Sequence, residues 1–180
     1  MIDGDADGQR FLVLHDYGMS ELWWWVRARS AQEIVERIAE VEVVTQPEAV
    51  QRAATWDLTE VALDAPHLPS PLKELRKQRD AQRGHPDFAA CAGRALVHLC
   101  RRWEGEDGVD PASYYLEVGP DGRRLRQVEV RDDGTSVRSG PDDWAFNPPV
   151  VDLYAPEAAA WEINSEEFEA QWRRAVDDGA

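Results

Sequence analysis

The chain has 180 residues, of which 43% are hydrophobic and eight are Trp, enough apolar mass for one domain of typical size or two small subdomains sharing a core. It carries 35 acidic against 20 basic residues, a formal net charge of −15, which sets it against phosphate backbones and anionic bilayers and so against nucleic-acid binding and membrane docking. No apolar run approaches the ~20 residues that span a bilayer, no basic-then-apolar signal pattern opens the chain, and the two cysteines, Cys91 and Cys100, read as reduced thiols of a cytoplasmic protein.

Residues 1–9 are small, polar and acidic and are predicted to be a loose tail. Arg10 to His15 reads as a central strand, apolar on both faces. Asp16 to Ser20 is a turn in which Gly18 can take positive φ. Leu22 to Ala28 is a second strand, pairing with the first as a hairpin. Leu22, Trp24, Val26 and Ala28 share one face; Trp23, Trp25 and Arg27 share the other. Ser30 to Glu33 is a capping box opening a helix with Ile34, Ile38 and Val41 on one face. Val41 to Thr45 is a short strand. Thr45 to Glu48 starts a helix running to about Trp56, and Leu58 to Leu63 is the next strand candidate.

The proline-rich stretch 65–71 is the best internal boundary. Ser70 and Pro71 open a helix over 72–83, on which Leu72, Leu75 and the Arg79 stem face the body, so it reads as a basic surface helix. Ala95 to Trp103 fits strand or helix equally, and 104–112 is a loop. Tyr114–Val118, Leu125–Arg131 and Ser136–Ser139 alternate like strands. The turn signals Gly119 to Gly122 and Asp132 to Gly134 separate them, giving a three-stranded antiparallel meander. An irregular stretch follows over 140–156. Asn164 to Glu167 is a further capping box, opening a helix to about Val176 with Phe168, Trp172 and Ala175 on one face. The expected fold class is α+β, with an N-terminal hairpin with helices (10–64), a connection with the basic helix (65–112), and a meander closed by a helix (113–180). A single continuous domain over 10–180 is the other organisation the pattern allows.

Charge is unevenly placed. Residues 70–102 carry eight Lys/Arg and three Asp/Glu, a net of +5, and the remainder a net of −20. Such asymmetry allows self-association through the basic helix 72–83. It also suits a basic protein partner, although 18 of the 20 basic residues are Arg, a bias that a GC-rich genome produces together with acidity.

No nucleotide-binding, zincin, nucleophile-elbow or EF-hand motif is present, and no cofactor is expected. Cys91, His98 and Cys100 offer three zinc-ligand types without a fourth nearby or a paired C-x2-C spacing, so no metal site is assigned. The triplet His15-Asp16-Tyr17 lies at a strand end, where a His beside an Asp can serve as a base. With Trp23 and Trp25 it makes an alternative pocket for a small molecule or an enzymatic role. No nucleophile or oxyanion donor accompanies it. The Trp23–Trp25 run requires cover on both sheet faces, from helices or from a partner. Finally, Asp142, Asp143, Trp144 and Phe146 place two large aromatics between acids and prolines in a loop. That pattern suits a hot spot for a basic partner, and equally a latch folded back on the core.

The pattern from Tyr114 to Trp172 combines an RRLRQVEV segment, a DGT turn and the helix Glu162-Ile163-Asn164-Ser165-Glu166-Glu167-Phe168-Glu169-Ala170-Gln171-Trp172. It resembles a family of small bacterial proteins of unknown function, loosely akin to acidic immunity-type proteins found beside bacterial toxins. The segments FLVLHDYG and LWWWVRARS resemble hypothetical actinobacterial proteins. The resemblance carries no catalytic residue and implies a non-catalytic protein-binding module, immunity-like in its sharper form.

Overall fold

The computed structural model describes residues 8–18, 20–105 and 110–178. The chain divides into two compact units, Met1–Phe88 and Ala89–Ala180, each with its own sheet and helices in an α+β architecture. The division falls after Phe88 rather than at the proline-rich stretch 65–71, because the helix after that stretch packs into the first unit. Of the predicted tail, residues 1–7 lie outside the described residues, and Gln9 already belongs to a strand.

In the first unit, β1 (Gln9–Asp16) and β2 (Glu21–Ala28) pair as the predicted hairpin. The Asp16 carboxylate accepts from the Gly18 amide at 2.7 Å, and Gly18 takes φ +88°. β3 (Glu42–Val44) runs antiparallel to β1 and β4 (Glu60–Ala62) parallel to β2, giving the order β3-β1-β2-β4. Helices cover both faces. Trp24 packs with Val13, Val26, Ile34, Ile38, Leu72 and Leu75, and so beneath α1 (Ala31–Arg37) and α3 (Ser70–Gln82). Trp25 packs with Leu12, Val44 and Ala53 of α2 (Pro47–Ala53), and Trp23 lies against the same cluster. Each buried indole removes roughly 150–250 Å² from water, so a three-tryptophan strand forces a sheet covered on both sides.

The capping box of α1 differs from the expected reciprocal form. Ser30 accepts from the Glu33 amide, but the Glu33 carboxylate takes the Arg29 backbone N–H and guanidinium instead of the cap's own N–H. The α1 helix stops at Arg37, so Val41 is buried beyond its end. At α2 the cap is Gln46 and at α3 it is Pro69, neither with a side-chain bond that caps the helix; Thr45 and Ser70 do not serve as caps.

The basic helix α3 buries Leu72, Leu75 and Arg79 as expected and leaves its other charged residues at or near the surface, but Arg79 goes in with its charged head as well as its stem. Arg79 is 1% exposed. Its Nη2 donates to the Val35 and Ile38 carbonyls at 3.0 and 3.2 Å. Arg83 donates to the Glu36 carbonyl at 2.7 Å, and Arg76 to those of Leu63 and Ala65. The last carbonyls of a helix lack intrahelical partners and form its negative end. The C-terminus of α1 therefore supplies acceptors for two of these arginines, and only Lys73 and Lys77 of the five basic side chains over 72–83 follow the surface pattern without an internal carbonyl.

The second unit holds a five-stranded sheet, β5-β6-β7-β8-β9. The ambiguous segment is a strand, β5 (Val97–Trp103), so the antiparallel meander has four strands: β5, β6 (Ala112–Val118), β7 (Arg124–Arg131) and β8 (Ser136–Ser139). A two-residue strand, β9 (Val176–Asp177), adds parallel to β8. Between Glu117 and Val118 the register slips: Glu117 faces Arg126, while Val118 faces Arg124. Leu125 is thus the extra residue of a bulge. One face of the sheet carries Val97, Leu99, Leu116 and Val118, packed with Cys91, Leu153 and Ala158, and α4 (Pro156–Ala160) sits there. The other face is closed by α5 (Ser165–Arg174), capped as expected by Asn164, with Phe168 fully buried. No helix among the described residues is long and apolar enough to cross a membrane.

Candidate functional site

The acidic aromatic loop leaves the sheet at Ser139 and is tied at Val151 to the turn between β6 and β7, so it is fastened at both ends. At the start, the Asp143 carboxylate accepts from the Gly140 amide at 2.7 Å, and the Asp143 amide donates to the Gly140 carbonyl at 3.0 Å. The Trp144 indole N–H donates to the Ser139 hydroxyl at 2.9 Å, leaving the ring half-buried. At the far end, the Val151 amide donates to the Gly122 carbonyl at 2.8 Å. Gly122 has φ +82°, and a Cβ there would stand 2.3 Å from the Val151 carbonyl oxygen. Only glycine permits this closure.

Between the anchors, Phe146 is 88% exposed. The two aromatics that the sequence paired therefore part company: Trp144 is the latch, and Phe146 is the ring in solvent. Asp142 and Asp143 are both exposed beside it. Because Asp143 holds the turn through one oxygen acceptor, its charge is separable from its structural role, and Asn keeps the acceptor. Leu125, the bulge residue, is 39% exposed and approaches Gly119 and Gly140 at the base of the loop.

The alternative pocket does not assemble. His15 pairs with Leu22 and Trp23 with Leu14, which places them on opposite faces of the sheet. His15 Nδ1 lies 2.8 Å from the Glu40 carbonyl, and its ring stacks on Tyr17 at 6.0 Å. Asp16 holds the turn. Trp25 is buried under Arg10, whose guanidinium lies 4.0 Å from the ring centroid. Trp23 donates to Glu21 and meets Trp56 edge-on at 5.6 Å. Only Tyr17, at 52% exposure, is open to a ligand among these residues.

The zinc-type residues are also separated by the sheet. Cys91 lies in the core with Val97 and Leu99, whereas His98 and Cys100 alternate onto the α5 side. Among the described residues no group of three His, Cys, Asp or Glu is placed to hold a metal ion. Burial pushes both thiols up from the usual cysteine range.

Sequence reasoning missed the polar network beneath α5. His98 Nε2 lies 3.0 Å from Glu117. Arg126 donates to both Glu117 oxygens at 2.8 and 2.6 Å and to Glu169 at 2.5 Å. Its guanidinium lies 4.9 Å from the rings of both Phe168 and Trp172. The Arg126 guanidinium holds the Glu117 carboxyl below its usual range against the opposing pull of burial. Period-two alternation of His98, Glu117 and Arg126 onto one face was the available signal, but it needed the strand assignment of β5 and the bulge. With its charges paired and its rings covered, this network pins a helix and offers no open chemistry.

No family model matches the chain, and neither a curated protein nor a solved structure does.

Proposed function

We propose that this chain is a non-catalytic protein-binding module that presents Phe146, flanked by Asp142 and Asp143, to a basic protein. The observation that carries the reading is a phenyl ring 88% in water on a loop fastened at both ends. A large apolar side chain held in solvent is worth its solvation penalty when a partner covers it, and aromatic anchors ringed by polar groups dominate such interfaces. The net charge of −15 adds long-range steering of a cationic partner, which raises association rates at low salt. The groups with catalytic potential support the same reading, since His15, Asp16 and His98 are engaged by a carbonyl, a turn amide and Glu117. The sharper form is an immunity-type protein that masks a basic toxin.

The test uses a photo-crosslinking phenylalanine analogue at position 146, in the cell that makes the protein, to trap and identify what sits there. Binding kinetics and melting temperature are then measured on the isolated pair. Phe146→Ala is expected to raise the dissociation rate with an unchanged melting temperature. Asp142→Asn with Asp143→Asn is expected to slow association and flatten its salt dependence. A trapped partner that is itself acidic, or one bound equally well by Phe146→Ala, refutes the proposal.

A further inference from the structure

The bulge at Leu125 has a chemical result on the sheet face away from α5. By pairing with Val118, Arg124 is turned onto the face that carries Leu116, Val118 and the apolar cluster around Leu153. An arginine in that position is out of place unless something answers its charge. Among the described residues its one hydrogen bond is from Nη1 to the Gln127 amide oxygen at 2.8 Å, and its Nε is buried with no partner. No carboxylate among the described residues lies within ion-pair distance of it. Burial pushes its guanidinium below the usual arginine range, and the nearby Arg101 charge pushes it the same way.

Arg101 reaches this face from β5, opposite Tyr114 on β6. Its guanidinium lies 4.9 Å from the Trp161 ring centroid. Stacking occupies the flat face of a guanidinium and leaves its in-plane N–H donors unused, and no carboxylate among the described residues takes them. Tyr114, half-buried beside the same cluster, is near enough to Arg124 for the two to influence each other's ionisation. Two like charges without a carboxylate, one of them desolvated, are unusual in a chain with 35 acidic residues available.

We propose that Arg101 and Arg124, with Tyr114 and Trp161 beside them, form a site for a small molecule bearing a phosphoryl or carboxylate group, separate from the Phe146 loop. The oxyanion takes the free N–H edge of Arg101 and the unanswered donors of Arg124, and the depth of Arg124 restricts the ligand to a small group. Such charge-assisted, bidentate contacts are among the strongest polar interactions available to a protein.

The probes are inorganic phosphate, phenyl phosphate and acetate, titrated into the full chain at constant ionic strength with sodium chloride as the reference. Tryptophan fluorescence and melting temperature are the readouts. Saturable quenching with a raised melting temperature is expected for phosphate or acetate, and their ratio of affinities tells which oxyanion the site prefers. Arg101→Gln, at an exposed position, is expected to weaken binding about tenfold to a hundredfold, the range for losing one or two charge-assisted hydrogen bonds. Arg101→Lys, which keeps the charge but not the fork, is expected to recover only part of it. Arg173→Gln on α5 is expected to bind as the parent does. Arg124→Gln is expected to abolish saturation; should it fail to fold, Arg101→Gln carries the test alone. No saturable effect of any probe beyond sodium chloride up to about 10 mM, the range of very weak affinity, overturns the proposal. So does an Arg101→Gln variant that binds like the parent.

Discussion

Replacing Phe168 with Ala tests how α5 is held. Phe168 is fully buried, its ring centroid 5.0 Å from that of His98 and 6.2 Å from that of Trp172, with the Arg126 guanidinium 4.9 Å away. Phe-to-Ala changes in cores cost about 3–5 kcal/mol, and the lost cation–π contact is worth about 0.5–1 kcal/mol. About 4 kcal/mol is therefore expected. Trp172, one turn on, is the contrast. The sequence placed it in the core with Phe168, but it is only half-buried, between Arg126 at 4.9 Å and Arg138 at 5.4 Å. Partial burial and two exposed-side cation contacts reduce the expected cost of Trp172→Ala to about 2 kcal/mol. Urea unfolding followed by far-ultraviolet circular dichroism separates the two. With a slope of about 2 kcal/mol/M, the midpoint falls by about 2 M for Phe168→Ala and about 1 M for Trp172→Ala. A Phe168→Ala midpoint within about 0.3 M of the parent, well inside that expectation, or a larger loss for Trp172→Ala, refutes this account of the helix.

Three further outcomes are expected. Glu33 is lowered to about 2 by its Arg29 partner, so its contribution is present above its unfolded value and lost as pH falls toward about 2. Acid titration of the first unit's stability should show this loss, and Glu33→Gln should remove it; because Arg29 is exposed, its size is about 1 kcal/mol. Gly122→Ala should lower the melting temperature through a cost of about 3 kcal/mol, from positive φ and the Val151 carbonyl together, and an unchanged melt would show that the loop closes differently. Both thiols, raised by burial, should react slowly with a thiol reagent at neutral pH until urea exposes them; fast labelling of Cys91 in the folded chain would contradict its place in the core.

Where signals were local, the fold could be read from sequence. Alternation gave β1 and β2, and Ser30 and Asn164 gave two helix starts, because a cap and its first turn lie within four residues. The parallel pairing of β4 and β9 depends on contacts far apart in sequence, and nothing in Glu60–Ala62 or Val176–Asp177 announces a neighbour. The Arg79 stem was legible as body-facing, but not the burial of its guanidinium, which the Val35 and Ile38 carbonyls at the end of α1 accept; Arg83 bonds the Glu36 carbonyl from an exposed position. The candidate loop was visible as Asp-Asp-Trp-Ala-Phe, but the division of labour between its rings was not. The Trp144 indole has an N–H that reaches the Ser139 hydroxyl, a bond that the Phe146 ring has no donor to make. The Leu125 bulge, which sets where Arg124 points, has no signature in the alternating run around it.

The placement of the three-tryptophan strand bears on how this chain survives at high concentration. A segment such as Leu-Trp-Trp-Trp-Val on an open sheet margin would invite other chains to add strands and grow insoluble ribbons. Here β2 is enclosed between β1 and β4, and both margins of its sheet are strands of three residues, each bearing a glutamate, Glu42 or Glu60. An incoming strand finds a short, charged ladder and little to template on. Lengthening either margin, or neutralising its glutamate, is the change most apt to let chains add strands to one another and deposit as inclusion bodies.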